Sequence, residues 1–425
     1  MDIGQSMYDL CLRIFPSCRS ITGDGVRQTL HVLHEICSSL VIHEVPSGTE
    51  VFDWTVPKEW NIHDAWIKNQ NGEKILDFAA SNLHVLGYSL PIDKSLSLSQ
   101  LKEMIYTQPD QPDAVPYVTS YYQERTGFCM SEQQKSSLSD GMYQVHIDSD
   151  LKDGSLTYGE IILPGESEQE IFFSTYVCHP SMANDNISGP SVVIHLAKWL
   201  FAMKRRRYTY RLVFVPETIG AITYLSRNLS AMKQRTIAGF NVSCVGDDRT
   251  YSYIASRDGN TLADRVMKNV LHYHYPDYRQ YSFLARGSDE RQYDAPGVDL
   301  PICGFCRSKY GEYPEYHTSK DNMGIISPTG LAGAYEVLQQ CVQALENNRT
   351  YQVQCLCEPQ LGKRGLYPTV SQRGSYDAVA AMTNFIAYAD GGNDLIEISN
   401  IIDVPIYRLI PIIQTLTLNE LIGIV

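Results

Sequence analysis

Near the start of the chain the apolar residues recur at helical spacing. From Met7 to Phe15 they share one helical face, Gly23-Asp24-Gly25 interrupts the pattern, and Val26 to Leu40 resumes it. From about Val45 to Ser131 the period shortens. Val51 to Pro57 and Trp60 to Ile67 read as short strands, with turn residues such as Asn71-Gly72 between others. This predicts a small β-rich domain inserted after the first helices. From about residue 140 strands and helices alternate. Ile171–Val177, Tyr210–Val215, Ile237–Val242 and Leu300–Phe305 are predicted strands. Gly189–Met203, Ile219–Leu229, Leu262–His272 and Gly330–Leu345 are predicted helices. Such alternation builds a mostly parallel sheet covered by helices on both faces, an α/β fold.

Beyond about Leu361 the pattern changes again. Tyr376–Tyr388 reads as a helix, and Asp390 to Asp394 as a break. Leu395–Ile401 reads as a short helix, Asp403-Val404-Pro405 as a turn, Tyr407–Leu418 as a helix, and Leu421–Val425 as a strand. Helices joined by tight turns and closed by a strand are the layout of a winged helix-turn-helix. The expected domains are therefore 1–44 with 132–360, an insertion at 45–131, and a winged helix at 361–425. From Ser375 onward Arg408 is the lone Lys or Arg, against six acids. A DNA-reading surface needs cations to neutralise phosphates, so a packing or protein-interaction module, or self-association, is expected instead.

A length of 425 residues exceeds one compact core and suits two or three domains. No run of about 18 apolar residues occurs, which predicts no membrane span. Residues 1–6 lack a basic region followed by an apolar stretch, and a cytoplasmic location is expected. The formal net charge of −13 repels polyphosphates and argues against a nucleic-acid partner. The eleven cysteines are scattered, and neither Cys303/Cys306 nor Cys355/Cys357 has a second pair that would close a structural zinc site. They read as free, mostly buried thiols.

Three segments carry candidate chemistry, at or just beyond the ends of predicted strands, where ligands of open parallel sheets collect. In Cys178–Gly189, His179 follows a strand and Asp185 precedes a helix that Asn186 or Ser188 can cap. Imidazole and carboxylate together suit zinc. In Phe214–Gly220, Glu217 leaves a buried strand as a carboxylate able to take a proton from a metal-bound water. In Tyr313–Asn322, His317 is a third candidate ligand, and Asp321 could orient it from behind. Each segment alone also reads as an ordinary loop or helix start; their conjunction is the signal.

Taken together, residues 140 to 350 resemble the co-catalytic zinc aminopeptidase family, whose relatives include glutamate carboxypeptidase and glutaminyl cyclase. Asp185-Asn186-Ile187-Ser188-Gly189 is similar to its Asp-Asn-x-Ser-Gly, and Tyr316-His317-Thr318-x-x-Asp321 to its Tyr-His-Thr-x-x-Asp. Glu217 matches the base in Glu-Glu-x-Gly, and Ser288-Asp289-Glu290-x-x-Tyr293 resembles Ser-Asp-His-x-x-Phe. The whole chain looks like a bacterial family of aminopeptidase-like proteins associated with polysaccharide biosynthesis. The resemblance implies a zinc hydrolase acting on a small peptide or amide-bearing substrate, with ligands His179, Asp185 and His317, base Glu217, and Asp289 and Asp321 behind them. Arg307 and Tyr310, in the loop Arg307–Gly311, are candidates to bind an oxyanion or a substrate carboxylate. Two ligand carboxylates of the family are missing here, replaced by Thr218 and Ser243. One zinc ion is therefore expected rather than two, with Asp247 and Asp248 as weak substitutes. The alternatives are an amidase or deacylase on a modified sugar, an acyl transfer like that of glutaminyl cyclase, and a non-catalytic scaffold.

Overall fold

The computed structural model describes residues 2–367 and 379–425. They form two compact units, one up to Thr261 with Arg279–Tyr335, the other Leu262–Tyr278 with Glu336–Val425.

The larger unit is built on an eight-stranded sheet. Its order is Val41–Pro46, Ser155–Leu163, Thr209–Val215, Glu170–Tyr176, Thr236–Val242, Ile302–Cys306, Ser252–Ile254 and Arg279–Tyr281. The four central strands, from Thr209–Val215 to Ile302–Cys306, run parallel, while the outer pairings include antiparallel ones. Glu170–Tyr176 is buried at every position, as a strand covered on both faces must be. Helices Ile3–Ile14, Asp24–Ile36, Ser188–Ala202 and Ile219–Arg235 belong to this unit. The predicted helices and parallel strands are all present, with ends shifted by a few residues.

The β-rich insertion is a four-stranded antiparallel sheet in the order Lys74–Asp77, Glu59–Lys68, Met142–Lys152 and Ile92–Ser97. Its long partner strand, Met142–Lys152, lies beyond residue 131, where the insertion was expected to end. Tyr143, Val145 and Ile147 supply its apolar face, packing with Ala65, Ile67 and Leu76. The predicted strand Val51–Pro57 is instead a tight hairpin, Glu50–Val51 against Trp54–Thr55, turning at Phe52 with φ of 57°. Arg27, on helix Asp24–Ile36, pairs with Glu59 at the start of the sheet.

The smaller unit carries the winged helix. Strands Thr350–Val353, Asp390–Asp394 and Ile422–Ile424 form its sheet, with helices Ala380–Tyr388, Leu395–Ile402 and Ile406–Leu418. The predicted break at 390–394 is a strand, because its backbone pairs with Thr350–Val353, a partner upstream of the expected boundary. The first part of the predicted helix Tyr376–Tyr388 lies outside the described residues. Helix Leu262–His274 also belongs here: Arg265 pairs with Asp394 at 2.6 Å, and Asn269 donates to Ser399. Among the described residues no single helix is long and apolar enough to cross a membrane.

Candidate metal centre

His179 stands just past the buried strand Glu170–Tyr176, at the carboxyl end of the parallel core. Asp185 lies in the short loop before helix Ser188–Ala202. That loop is pinned from several sides. Asn184 and Asp185 donate their backbone N–H groups to Asp321, at 2.6 and 3.0 Å. Gly246 N–H donates to Asn184 Oδ1, and Cys244 N–H to Asn186 Oδ1. Asn186 Oδ1 also accepts from Gly189 N–H at 3.2 Å and so caps the helix. Gly189 is required here by close approach, since a Cβ would stand 2.3 Å from Thr175 Oγ1.

His317 comes from a loop clamped by the segment around residue 117. Tyr117 N–H donates to the His317 carbonyl at 2.9 Å, and Val115 and Ser319 exchange hydrogen bonds on the same edge. The Tyr316 ring stacks on His317 at 3.9 Å, and Tyr117 meets both His179 and His317 edge-on.

These elements bring His179, Asp185 and His317 together, with one potential ligand atom from each lying within 4.8 Å of the others. His317 Nε2 is 2.9 Å from Asp185 Oδ2. Among the described residues neither buried atom has a hydrogen-bond partner. A buried imidazole nitrogen and a buried carboxylate oxygen that face each other, with no partner beyond that ion contact, are what a shared cation would satisfy. Neutral imidazole and ionised carboxylate are the required ligand forms, and the surroundings favour both. Burial pushes His179 down to about 4. Burial works against Asp185, yet His179, His317 and the Tyr176 hydroxyl outweigh it and hold the carboxyl down at about 2. The residues therefore fit a zinc ion.

Cys178, His179 and Glu217 form a second overlapping group of potential ligands. The Cys178 thiol accepts from Glu217 N–H at 3.2 Å, and burial with the nearby Glu217 charge pushes its pKa well up. A cysteine binds zinc as its thiolate, a form this environment disfavours, so the histidine–aspartate set is the better site.

Glu217 sits beside it, its carboxylate 3.7 Å from His179 Nε2 and its side chain 21% exposed. Burial, then the charges of Asp289 and Asp185, raise its pKa well above the ordinary carboxylate value. Thr218, next to it, is held at φ of 63° by its N–H bond to Asp289 Oδ1. Asp289 thus fixes the turn that aims Glu217 and touches none of the three candidate ligands through a hydrogen bond. Burial pushes Asp289 up to about 7.

Asp321 does not orient His317. Both its oxygens are taken by the backbone of Asn184 and Asp185 and by the Tyr313 hydroxyl, so it shapes the Asp185 loop. Burial and the nearby Asp185 push it up to about 7. The expectation for Arg307 and Tyr310 is corrected outright. The Arg307 guanidinium lies over the Tyr251 ring and donates to Thr250 O, Tyr251 Oη and Gly330 O. The Tyr310 hydroxyl is tied to Glu290 and Gly287. Both are buried, and neither lines the cavity over the candidate ligands. Asp247 is spent on Ser308 and Asn184, and Asp248 on Ser327. Ser243 faces Cys306.

Sequence reasoning missed Arg19, Tyr117 and Tyr176. Arg19 is buried, donates to the carbonyl of His179 at 2.9 Å, and its Nη2 has no hydrogen-bond partner among the described residues. Arg19 sits in Ser17-Cys18-Arg19-Ser20-Ile21-Thr22, a short polar stretch that carries no signal of its burial.

The family model described as "Domain of unknown function (DUF4910)" matches residues 8–348, and one for a winged helix-turn-helix matches 349–423. The chain belongs to the DUF4910 family. A relative from Clostridium acetobutylicum is 45% identical over 400 residues, spanning 94% of this chain and 91% of its own. It carries the provisional name "polysaccharide biosynthesis protein with aminopeptidase-like domain". A crystal structure from the same organism, of a protein provisionally called a peptidase, matches with a TM-score of 0.93 at 43% identity, covering 99% of this chain and 96% of that one. The zinc aminopeptidase of Bacillus subtilis matches with a TM-score of 0.60 at 11% identity, over 80% of this chain and 95% of that one. An M28 peptidase precursor from Shewanella amazonensis matches at 0.56 and 10% identity, over 81% and 95%. This DUF4910 chain therefore has the zinc aminopeptidase fold followed by a winged helix.

Proposed function

We propose that the protein is a zinc-dependent hydrolase of an amide or peptide bond, using one zinc ion held by His179, Asp185 and His317. The observation that carries this reading is the convergence of those three side chains within 4.8 Å, beside a carboxylate 3.7 Å from one of them. Three protein ligands and an open position make a catalytic zinc site. Zinc bound there supplies a Lewis acid for the scissile carbonyl and lowers the pKa of its water to about 7.

The chain does the rest. Glu217 takes the proton of the attacking water and passes it to the leaving nitrogen as the C–O bond forms and the C–N bond breaks. Its raised pKa suits the donating half of that cycle; a bound cation favours the ionised form needed for the first half. Asp289 holds the Glu217–Thr218 turn, and Asp321 holds the Asp185 loop. Thr218 and Ser243 stand where the resembled family has carboxylate ligands, which supports one ion over two.

The test is Glu217→Gln, with zinc content and turnover measured on the same preparation. Zinc is expected to stay, and turnover to fall by about 10²–10⁴-fold. Retained zinc with undiminished turnover would remove Glu217 from the reaction. The winged helix enters this reading as a packing or protein-interaction module. Helix Ile406–Leu418 exposes Tyr407 and Leu418 beside the single cation Arg408.

A further inference from the structure

With Arg307 and Tyr310 tied up elsewhere, a developing oxyanion needs another donor. The cavity over the candidate ligands, of about 310 Å³, is lined by His179, His317 and Glu217 and, from the β-rich insertion, by Tyr117 and Tyr121. The Tyr117 ring stands edge-on to both histidines, with centroids 5.2 Å from His179 and 5.1 Å from His317. The Tyr121 ring instead meets Tyr88 edge-on, against the core. The two hydroxyls are 2.6 Å apart and make no other hydrogen bond among the described residues. Each hydroxyl carries one proton, and the bond between them uses one of the two. Whichever oxygen donates, the other O–H is left over for a ligand in the cavity. Burial pushes both pKa values well above the ordinary one, so both protons stay in place.

We infer that this hydroxyl pair is the oxyanion donor of the site: Tyr121 donates to Tyr117, and Tyr117 donates to the carbonyl oxygen of the scissile amide as negative charge builds there. The inference rests on the hydrolase reading and deepens it, because it gives the insertion a part in the chemistry.

The direction of the pair follows from its surroundings. Tyr117 is the member against the ligand histidines, so its O–H is the one that a carbonyl held beside them can reach. Tyr121 packs on Tyr88 and acts through Tyr117, as a positioning residue. Its donation polarises the Tyr117 O–H and strengthens the bond that hydroxyl makes in turn. The Tyr117 N–H donates to the His317 carbonyl at 2.9 Å, so one clamp sets both the donor and the ligand. A donor fixed before the reaction costs no reorganisation when charge develops. Two other groups are placed less well. Arg291 is exposed, donates to Thr218 Oγ1 and is not among the lining residues. Tyr316 stacks on His317 but does not line the cavity either. Tyr117 keeps its proton throughout. The water oxygen bonds to the acyl carbon, the C=O π pair moves onto the oxygen that Tyr117 contacts, and the pair returns as the C–N bond breaks. Glu217 carries the proton to the nitrogen.

Butaneboronic acid tests this, because its planar boron takes up a hydroxide and becomes a tetrahedral anion like the one the reaction passes through. Butyramide is its planar, neutral counterpart. By calorimetry on the zinc-loaded full chain, Tyr117→Phe is expected to keep its zinc and to bind the boronate about 10–100-fold more weakly, the range for a hydrogen bond to a charged group. Tyr121→Phe is expected to weaken boronate binding by about 2–10-fold, and to add nothing in the Tyr117→Phe background. Butyramide binding, read by ligand-observed NMR, is expected to be the same in wild type and all three variants, which separates stabilisation of charge from packing. Boronate bound equally by Tyr117→Phe and wild type would overturn the inference, as would additive losses from the two substitutions or a loss confined to Tyr316→Phe. Equal losses of boronate and butyramide binding would also overturn it and leave Tyr117 as a wall. Wild-type protein that binds no boronate, or binds it equally without zinc, would sink the hydrolase reading itself and this inference with it.

Discussion

At the scale of single residues the site depends on groups that never touch substrate. Asp321 accepts three hydrogen bonds, two from the loop that carries Asp185. Asp321→Ala leaves those donors buried without a partner, at a cost of about 1–3 kcal/mol each. Zinc affinity is expected to fall by about 10–100-fold, the usual effect of losing such support. A competition titration with a chromogenic chelator checks it, and an unchanged affinity would show that the loop holds itself. The thiols give a pH-dependent prediction. Burial pushes Cys11, Cys129 and Cys306 up to about 12, so at pH 8 they are neutral as well as covered. Cys355 and Cys357 are exposed. Iodoacetamide at pH 8 should label those two quickly and the deeply buried thiols only after unfolding, which peptide mass mapping resolves. Arg307 shows where residue-level reading fails. Sequence places it in a loop but not where its guanidinium points, and the Tyr251 ring and two backbone carbonyls claim it.

At the scale of elements, close packing at the carboxyl ends of the central strands fixes the ligands. Gly189→Ala forces a Cβ to 2.3 Å from Thr175 Oγ1, against a fully buried strand. Overpacking of this kind costs about 1–3 kcal/mol, so a lower Tm and weaker zinc retention are expected, and a wild-type Tm would count against so tight a fit. Those strands and helices were legible because each is a continuous apolar run or a helical repeat: Glu170–Tyr176 and Ser188–Ala202 announce themselves. The four-stranded sheet was harder to read, since Met142–Lys152 pairs with Glu59–Lys68, far away in sequence. The strand Asp390–Asp394 was invisible because only its backbone pairs, and its glycines and aspartates carry no strand pattern. The ligand loops were legible as motifs. The clamp on His317 was not, because Tyr117 reaches it from the insertion through backbone hydrogen bonds.

At the scale of the molecule, one ion pair ties the first helices to the insertion that walls the cavity. Arg27 binds Glu59, whose side chain is 9% exposed. Burial pushes the Glu59 carboxyl up, but Arg27, Ser155 N–H and Asn61 outweigh it and hold it below the usual value. A depressed folded pKa adds stability above the unfolded value, about 4.3, and that stability is lost as pH falls through the lower folded value. Urea unfolding should show wild type more stable than Glu59→Gln by about 1–3 kcal/mol at pH 7, because the variant removes the buried charged partner of Arg27 and leaves it the exposed Asp24. The gap should close toward pH 3, and a pH-independent gap would contradict the ion pair's role. The central claim, one zinc on His179, Asp185 and His317, is tested most directly by zinc stoichiometry with X-ray absorption on protein purified without chelator. One ion per chain, with nitrogen and oxygen neighbours at about 2.0–2.2 Å and none at the sulfur distance of about 2.3 Å, is the predicted result. Two ions, a sulfur ligand from Cys178, or a chain that takes up no zinc would contradict it.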